Sequence, residues 1–268
     1  LLLLDIFVIN APQYKRREDM EKVRLEEHNQ KSFTEASFDK AILAFGSCEC
    51  HGEHLPYGTD TFVAHALALE VATRLGSTFV VPPLWYGMSM HYRHKPMCIS
   101  LSNSTLTLVI REVLGSLLHW GIKKVLIING HDGNIPCIEA GTRDVKVANP
   151  DMGIAVLDAW WITAGDLLPK DTFEVWNGLG HGGEGETSIA LAIVPHLVDL
   201  KNAKGMLPDM DDNVKLIWNF QELSEYGATG APEKATEEKG RKMKEALIGY
   251  LVDFVRKMDT QGWRFSTK

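Results

Sequence analysis

Between Gly46 and Asp60 the chain reads Gly-Ser-Cys-Glu-Cys-His-Gly-Glu-His-Leu-Pro-Tyr-Gly-Thr-Asp, which gathers Glu49, His51, Glu53, His54 and Asp60 into one short stretch. A solvated loop has no reason to concentrate so many metal-competent side chains beside glycines and a proline. A carboxylate, an imidazole and a second carboxylate form a borderline-hard donor set that suits zinc, manganese or iron(II). Just upstream, Ala41 to Phe45 is an apolar run that reads as a buried strand, so Glu49 and His51 fall where that strand ends. On an extended backbone, residues two apart point the same way, so Glu49 and His51 present an oxygen and a nitrogen to one ion while the Gly-Thr-Asp turn returns Asp60 toward it. Cys48 and Cys50 offer a thiolate zinc site as an alternative, but alternation turns them away from the Glu49/His51 face and favours small buried residues. Glu53 and His54 either orient the ligands through hydrogen bonds or face water.

Such a site needs elements that deliver it. Thr78 to Val81, Lys124 to Asn129 and Gly153 to Leu157 read as further strands, and Phe62 to Leu75, Thr105 to Trp120, Ile135 to Ala148 and Thr187 to Val194 carry helical spacing. Thr59 and Asp60 cap the first of these helices, and Gly76 stops it. Strands too apolar to leave one face wet, alternating with helices, predict a three-layer α/β/α sandwich with a mostly parallel sheet. Open sheets of that kind bind ligands beyond the carboxyl ends of their strands, where Glu49, His51 and His131 all fall. With 268 residues, 45% hydrophobic and 24% charged, the chain reads as one domain over residues 1–268, with a charged, solvated N-terminal arm over residues 1–35. A net charge of −7 argues against a nucleic-acid or membrane-surface binder and leaves a small solute as the expected partner. The apolar opening Leu1 to Leu4 is far short of the roughly 20 residues of a membrane span. Four cysteines without secreted-scaffold spacing suit a reducing compartment, so a cytoplasmic protein is expected.

The pattern Gly-Ser-x-Glu-x-His-Gly-x-His-Leu-Pro-x-Gly-Thr-Asp at Gly46 to Asp60 resembles the signature of the creatininase (creatinine amidohydrolase) family. Asn129-Gly130-His131-Asp132-Gly133-Asn134 is similar to the family's Asn-Gly-His-Gly-Gly-Asn, and His181-Gly182-Gly183-Glu184-Gly185-Glu186-Thr187-Ser188 to its His-Ala-Gly-Glu-x-Glu-Thr-Ser. The stretch from Gly227 to Gly240 looks like its C-terminal Gly-x-x-Gly-x-Pro segment. The resemblance implies a three-layer fold with two divalent metal ions per chain (zinc, manganese or iron) and a homo-oligomer, with a hexamer built from dimers favoured. Trp218, Phe220 and Tyr226 are candidates for its apolar contact surface. Carried over to this chain, Glu49, Asp60 and His131 match the ligands of one metal and His51 and Asp60 those of the other, with Asp60 bridging. The family's further glutamate ligand falls at Gly133, so Glu186 is its natural replacement, with Glu184 and Asp132 open as alternatives.

The resemblance also implies hydrolysis of a small substrate: cyclic amides such as creatinine, formamides on pyrimidines or, for some members, carbocyclic diketones such as a keto-inosose opened at a carbon–carbon bond. Two close metals lower the pKa of bound water to about 7 and polarise a carbonyl, so metal-bound hydroxide is the expected nucleophile for either bond. His181 is the expected general acid/base and Glu186 its catalytic neighbour. Amide hydrolysis stands ahead of carbon–carbon cleavage, and a non-enzymatic metal-binding regulator is the alternative from another class. For the substrate, Tyr86 to His91 is similar to a family segment that continues Phe-Pro-Gly-Thr-Ile-Ser-Leu, where this chain has Lys95-Pro96-Met97-Cys98-Ile99-Ser100-Leu101. With His91, Tyr92, Arg93, His94 and Lys95 beside it, this predicts a polar or partly anionic ligand. Ser89, His91 and Asp132 are the expected substrate contacts, with Trp160 and Trp176 as flat aromatic walls.

Overall fold

A computed structural model describes residues 22–209, 214 and 216–265. Its sheet has the strand order β2-β1-β3-β4, every pair parallel, with β1 at Lys40–Phe45, β2 at Thr78–Val80, β3 at Lys124–Asn129 and β4 at Gly153–Leu157. In β1 and β3 side chains alternate between two cores, as strand geometry requires. Leu43, Phe45, Val125 and Ile127 face one layer, made by α3 (Asn103–His119) and α4 (Ile135–Ala148) through Leu106, Ile110, Leu114 and Ile138. Ile42, Ala44, Leu126 and Ile128 face the other, made by α2 (Thr59–Leu75), α5 (Trp160–Leu167), α6 (Glu184–Ile193) and α7 (Glu237–Thr260). The result is the three-layer α/β/α sandwich expected from the strands, which are buried on both faces.

Two boundaries shift in ways that matter for the site. Helix α2 starts at Thr59 with Gly58 as its N-cap, so Asp60 lies inside the first turn and is not a cap. Helix α6 starts at Glu184, three residues before the expected Thr187, so Glu184 and Glu186 both sit in its first turn.

The expected solvated arm is only partly within the described residues, since residues 1–21 lie outside them. From residue 22 onward the chain is docked. The Val80 amide donates to the Val23 carbonyl at 2.7 Å, and in α1 (Gln30–Ala36) the Phe33 ring meets Phe79 edge-on at 5.2 Å. Phe33 and Phe38 supply the apolar contact that a charge-based reading of this stretch overlooks. None of the helices in the described residues is long and apolar enough to cross a membrane.

Helix α7 closes the outer layer by lying directly against α6, and Gly240 makes the approach possible. A Cβ at Gly240 would overlap the Ser188 carbonyl oxygen, whereas one at Gly249 of the same helix would meet nothing within 4 Å. Gly240→Ala is therefore expected to cost about 1–3 kcal/mol through overpacking. Gly249→Ala is expected to gain about 0.5–1 kcal/mol, because it replaces a helical glycine in open space. Chemical-denaturation midpoints that move in opposite directions check the pair, and a neutral Gly240→Ala would contradict the contact.

Candidate metal centre

β1 is flanked by β2 on one side and β3 on the other, so the chain changes direction between β1 and β3, and the crevice for a ligand opens at their carboxyl ends. Residues 46 to 58 leave β1 as a loop pinned by isolated bridges, not as a continuing strand. This loop carries Glu49 and His51. The turn after β3 carries His131, and the first turns of α2 and α6 carry Asp60 and Glu186, where the positive ends of the helices favour a carboxylate. Asn134 ties the turn after β3 to the loop after β1 and to the segment at Met88: its side-chain amide donates to the Gly46 carbonyl at 3.0 Å and its oxygen accepts from the Met88 amide at 2.9 Å.

Two donor clusters result, each with its ligand atoms within 4.8 Å of one another: Glu49, Asp60 and His131, and His51, Asp60 and Glu186. Asp60 belongs to both. Its Oδ1 lies 2.8 Å from His51 Nε2, and its Oδ2 lies 3.4 Å from His131 Nδ1 and accepts from the Ser47 hydroxyl at 2.6 Å. Glu49 Oε1 lies 3.2 Å from His131 Nδ1, and Glu186 Oε2 lies 4.0 Å from His51 Nε2. Glu49 and His51 also form a third group, with His181, whose Nδ1 is 3.8 Å from Glu49 Oε1. The loop turns Glu49 toward His131 and His51 toward Glu186, so the ion that strand alternation expects Glu49 and His51 to share has a place only in the group with His181.

Each histidine is locked through one nitrogen onto a backbone carbonyl. His51 Nδ1 reaches Glu49 O at 3.2 Å, His131 Nε2 reaches Met88 O at 3.0 Å, and His181 Nε2 reaches Cys50 O at 2.6 Å. A carbonyl can only accept, so these nitrogens carry hydrogen and the opposite ones turn toward the carboxylates, the arrangement that orients imidazoles on metals. The electrostatics calls for positive charge. Burial pushes the Glu49 carboxyl up, but the adjacent charge of His131 outweighs it and holds Glu49 below its ordinary value. Asp60 is held well below its usual range, because His51 and His131 overcome its burial. Against the burial that would lower them, Asp60 raises His51 to about 10, and Glu49 and Asp60 raise His131 well above 6.5. Burial lifts Glu186 to about 7, and burial next to His51 takes His181 down to about 3. Both Glu49 oxygens are buried and accept no hydrogen bond, a costly state for a carboxylate unless a cation meets it. The donors therefore fit divalent cations of the zinc or manganese class.

The other expected site residues divide. His91 and Asp132 line a cavity of about 1080 Å³ that opens onto Asp60, His131, His181 and Glu186. Ser89 is fully buried beneath it, its hydroxyl 3.4 Å from His131 Nε2. Trp160 is not a wall: it is 1% exposed and packs in the core with α7, while its neighbour Trp161 faces the cavity. Trp176 is 40% exposed and lies outside the cavity lining among the described residues. Glu184 is excluded as a ligand, because its buried carboxylate accepts from the Glu174 and Val175 amides and from Lys239 Nζ at 2.6 Å. Gly133 has no room for a side chain, since a Cβ would overlap the Met88 carbonyl oxygen.

Of the expected basic loop, Arg93, His94 and Lys95 are absent from the lining. Lys95 Nζ instead donates to the Glu225 carbonyl, and the charged groups added to the wall among the described residues are the carboxylates of Asp132, Asp209 and Glu222. Among the described residues the lining thus adds no lysine or arginine that would favour an anionic ligand. His54 is buried and bonds the Gly182 carbonyl and Thr187 hydroxyl, both at 3.0 Å, fixing the loop before α6, whereas Glu53 is exposed. No cysteine joins a donor cluster among the described residues. Phe220 is buried against Tyr92 and His181 and offers no exposed contact surface, whereas Trp218 is half-buried at the cavity and Tyr226 is exposed. Ser47 and Asn134 lay within the quoted motifs and escaped notice because serine and asparagine are not metal donors of choice.

Comparison with known proteins decides the lineage. The profile of the creatininase family, described as creatinine amidohydrolase, matches residues 26–255. The chain belongs to the creatininase family. Members of that family are metal-dependent hydrolases, and this chain is one of them. It is 27% identical over 230 residues to a creatinine amidohydrolase of Pseudomonas putida, a match that covers 80% of this chain and 88% of that protein. A mycofactocin precursor peptide peptidase of Mycobacterium ulcerans is 27% identical, covering 80% and 83% respectively. A 3-dehydro-scyllo-inosose hydrolase of Thermotoga maritima is 28% identical, covering 81% and 77%. Among solved structures, creatininase in an Mn form superposes with a TM-score of 0.77 at 25% identity, covering 88% of this chain and 98% of that one. A mutant creatininase of Zn–Zn type gives 0.76 at 26% identity, covering 88% and 97%.

Because His51 and His131 carry protons at neutral pH in the absence of metal, a cation must displace them. Adding zinc or manganese to metal-free protein in weak buffer at pH 7 is expected to release protons, and affinity should fall as pH drops, since protons compete for the same nitrogens. Metal uptake with no proton release in a pH-stat would contradict this arrangement.

Proposed function

We propose that this creatininase-family enzyme is a binuclear metal hydrolase that cleaves a non-peptide carbon–nitrogen bond in a small, polar, cyclic substrate. The observation that carries the reading is the division of Asp60, one oxygen facing the His51/Glu186 cluster and the other the Glu49/His131 cluster. Glu49, Asp60 and His131 would hold one divalent ion and His51, Asp60 and Glu186 the other. Bound there, zinc, manganese or iron would activate water and polarise a substrate carbonyl. His181 supplies the proton transfer. With its Nε2 hydrogen fixed on the Cys50 carbonyl, its Nδ1 keeps a lone pair turned to the site, where it can accept a proton. It can then return that proton to the leaving nitrogen. Carbon–carbon cleavage of a cyclic diketone is the second reading, favoured by the Thermotoga maritima relative.

A panel of lactams, formamides and cyclic diketones, assayed with metal added and with metal chelated, tests both readings. Metal-dependent turnover of amides is expected; turnover confined to diketones would favour the second reading, and none at all would overturn both. His181→Ala should keep the metal content of the parent and lose about two to four orders of magnitude in turnover. Loss of metal from that variant would make His181 a ligand, as its grouping with Glu49 and His51 permits. The reading includes a homo-oligomer, hexamer favoured, supported by the exposure of Leu216 and Ile217 at 76% and 83%. A monomer mass in light scattering would contradict it.

A further inference from the structure

Tyr92 stands over the same site, and no step above uses it. Its side chain is 3% exposed and lines the cavity. The ring packs against His181 at 4.6 Å between centroids and Phe220 at 4.5 Å, which themselves meet at 4.8 Å, with His91 also 4.5 Å away. Its backbone is fixed too, the amide donating to the Ser89 carbonyl at 3.0 Å. The carboxylates that act on its hydroxyl are Glu49, Glu186, Asp60 and Asp132, three from the donor clusters and one from the cavity wall. Yet that hydroxyl makes no hydrogen bond to any of the described residues. A phenol usually finds a partner when buried, and one left open toward a cavity marks a place where a ligand or water completes the bond.

We infer that Tyr92 is a further catalytic residue of this hydrolase, its hydroxyl donating a hydrogen bond to the oxygen of the substrate carbonyl as negative charge develops there. The inference rests on the reading of the site as a hydrolase of carbonyl substrates. Packing against His181, Phe220 and His91 supplies the preorganisation that such a donor needs, since a ring so held pays little reorientation when the charge appears. It also puts the donor beside the residue that moves the proton. Among the described residues the hydroxyl holds nothing in place, so its removal should leave the fold and the donor clusters intact.

The test is Tyr92→Phe, which keeps the ring and its packing. Metal content and denaturation midpoint are expected to match the parent, while kcat falls by about 10²–10³-fold, as for loss of one oxyanion donor, with KM little changed. Binding provides a readout apart from turnover. Acetohydroxamate, a small oxyanion that chelates divalent metal, should bind the metal-loaded variant about 10-fold more weakly than the parent in calorimetry. Parent-level kcat together with unchanged acetohydroxamate affinity would overturn the role of Tyr92. So would a loss of activity that follows a loss of metal or of stability, because the residue would then be structural. If the parent itself hydrolyses nothing in the amide and diketone panel, the hydrolase reading fails first, and the hydroxamate comparison still decides whether Tyr92 meets an oxyanion.

Discussion

The carboxylates of Glu49, Asp60 and Glu186 are buried around one point, and like charges at such spacing cannot all stay ionised without positive charge between them. Everything at the carboxyl end of the sheet answers to that constraint. Three histidines stand among the carboxylates, each turned by a backbone carbonyl so that one nitrogen faces inward. In the absence of metal, His51 and His131 meet the demand with protons, while Glu49 is left with two oxygens that nothing donates to. A set that must be protonated in two places and still leaves a buried carboxylate without a hydrogen bond is built for cations. Asp60 carries the heaviest share because its two oxygens serve different neighbours, with Ser47 fixing their orientation.

The fold meets this demand by bringing four separate segments to the crevice between β1 and β3. Asn134 joins the turn after β3 to the loop after β1 and to the 88 region through one hydrogen bond each, and a third ties it to Asn129, so the site is braced before any ligand arrives. On the far side, His54 and Thr187 hold the Gly182 carbonyl and so aim the start of α6. The core below is ordinary by comparison: two apolar layers against a sheet whose strands leave neither face wet.

Most of this was legible in the sequence, for physical reasons that can be named. β1, β3 and α4 announce themselves because continuous apolar runs and clean helical periodicity have few other uses, and the donors Glu49, His51, Asp60 and His131 stood out by residue type. What stayed hidden depends on rotation about an axis. Trp160 and Trp161 are adjacent on α5, about 100° apart around it, and composition cannot say that the first enters the core and the second the cavity. Glu184 and Glu186 were likewise undecided, because the glycines around them obscure the start of α6. Once the helix begins at Glu184, the two are about 200° apart and must face opposite ways, one toward Lys239 and the other toward His51. The basic loop misled for a related reason, since charge in sequence does not fix direction and Lys95 reaches a carbonyl outside the cavity. The docked stretch from Val23 to Phe38 shows the opposite error, in which charged neighbours masked two phenylalanines that pack on Phe79.

The claim on which the rest hangs is that Asp60 lies between two cations. Diffraction from crystals grown with manganese or zinc, with data collected on either side of the metal absorption edge, tests it most directly. The account predicts two anomalous peaks per chain, one bounded by Glu49, His131 and an Asp60 oxygen and the other by His51, Glu186 and the second Asp60 oxygen, each about 2.0–2.2 Å from its carboxylate ligands. A single peak, or a pair that leaves Asp60 bound to only one of them, would contradict it.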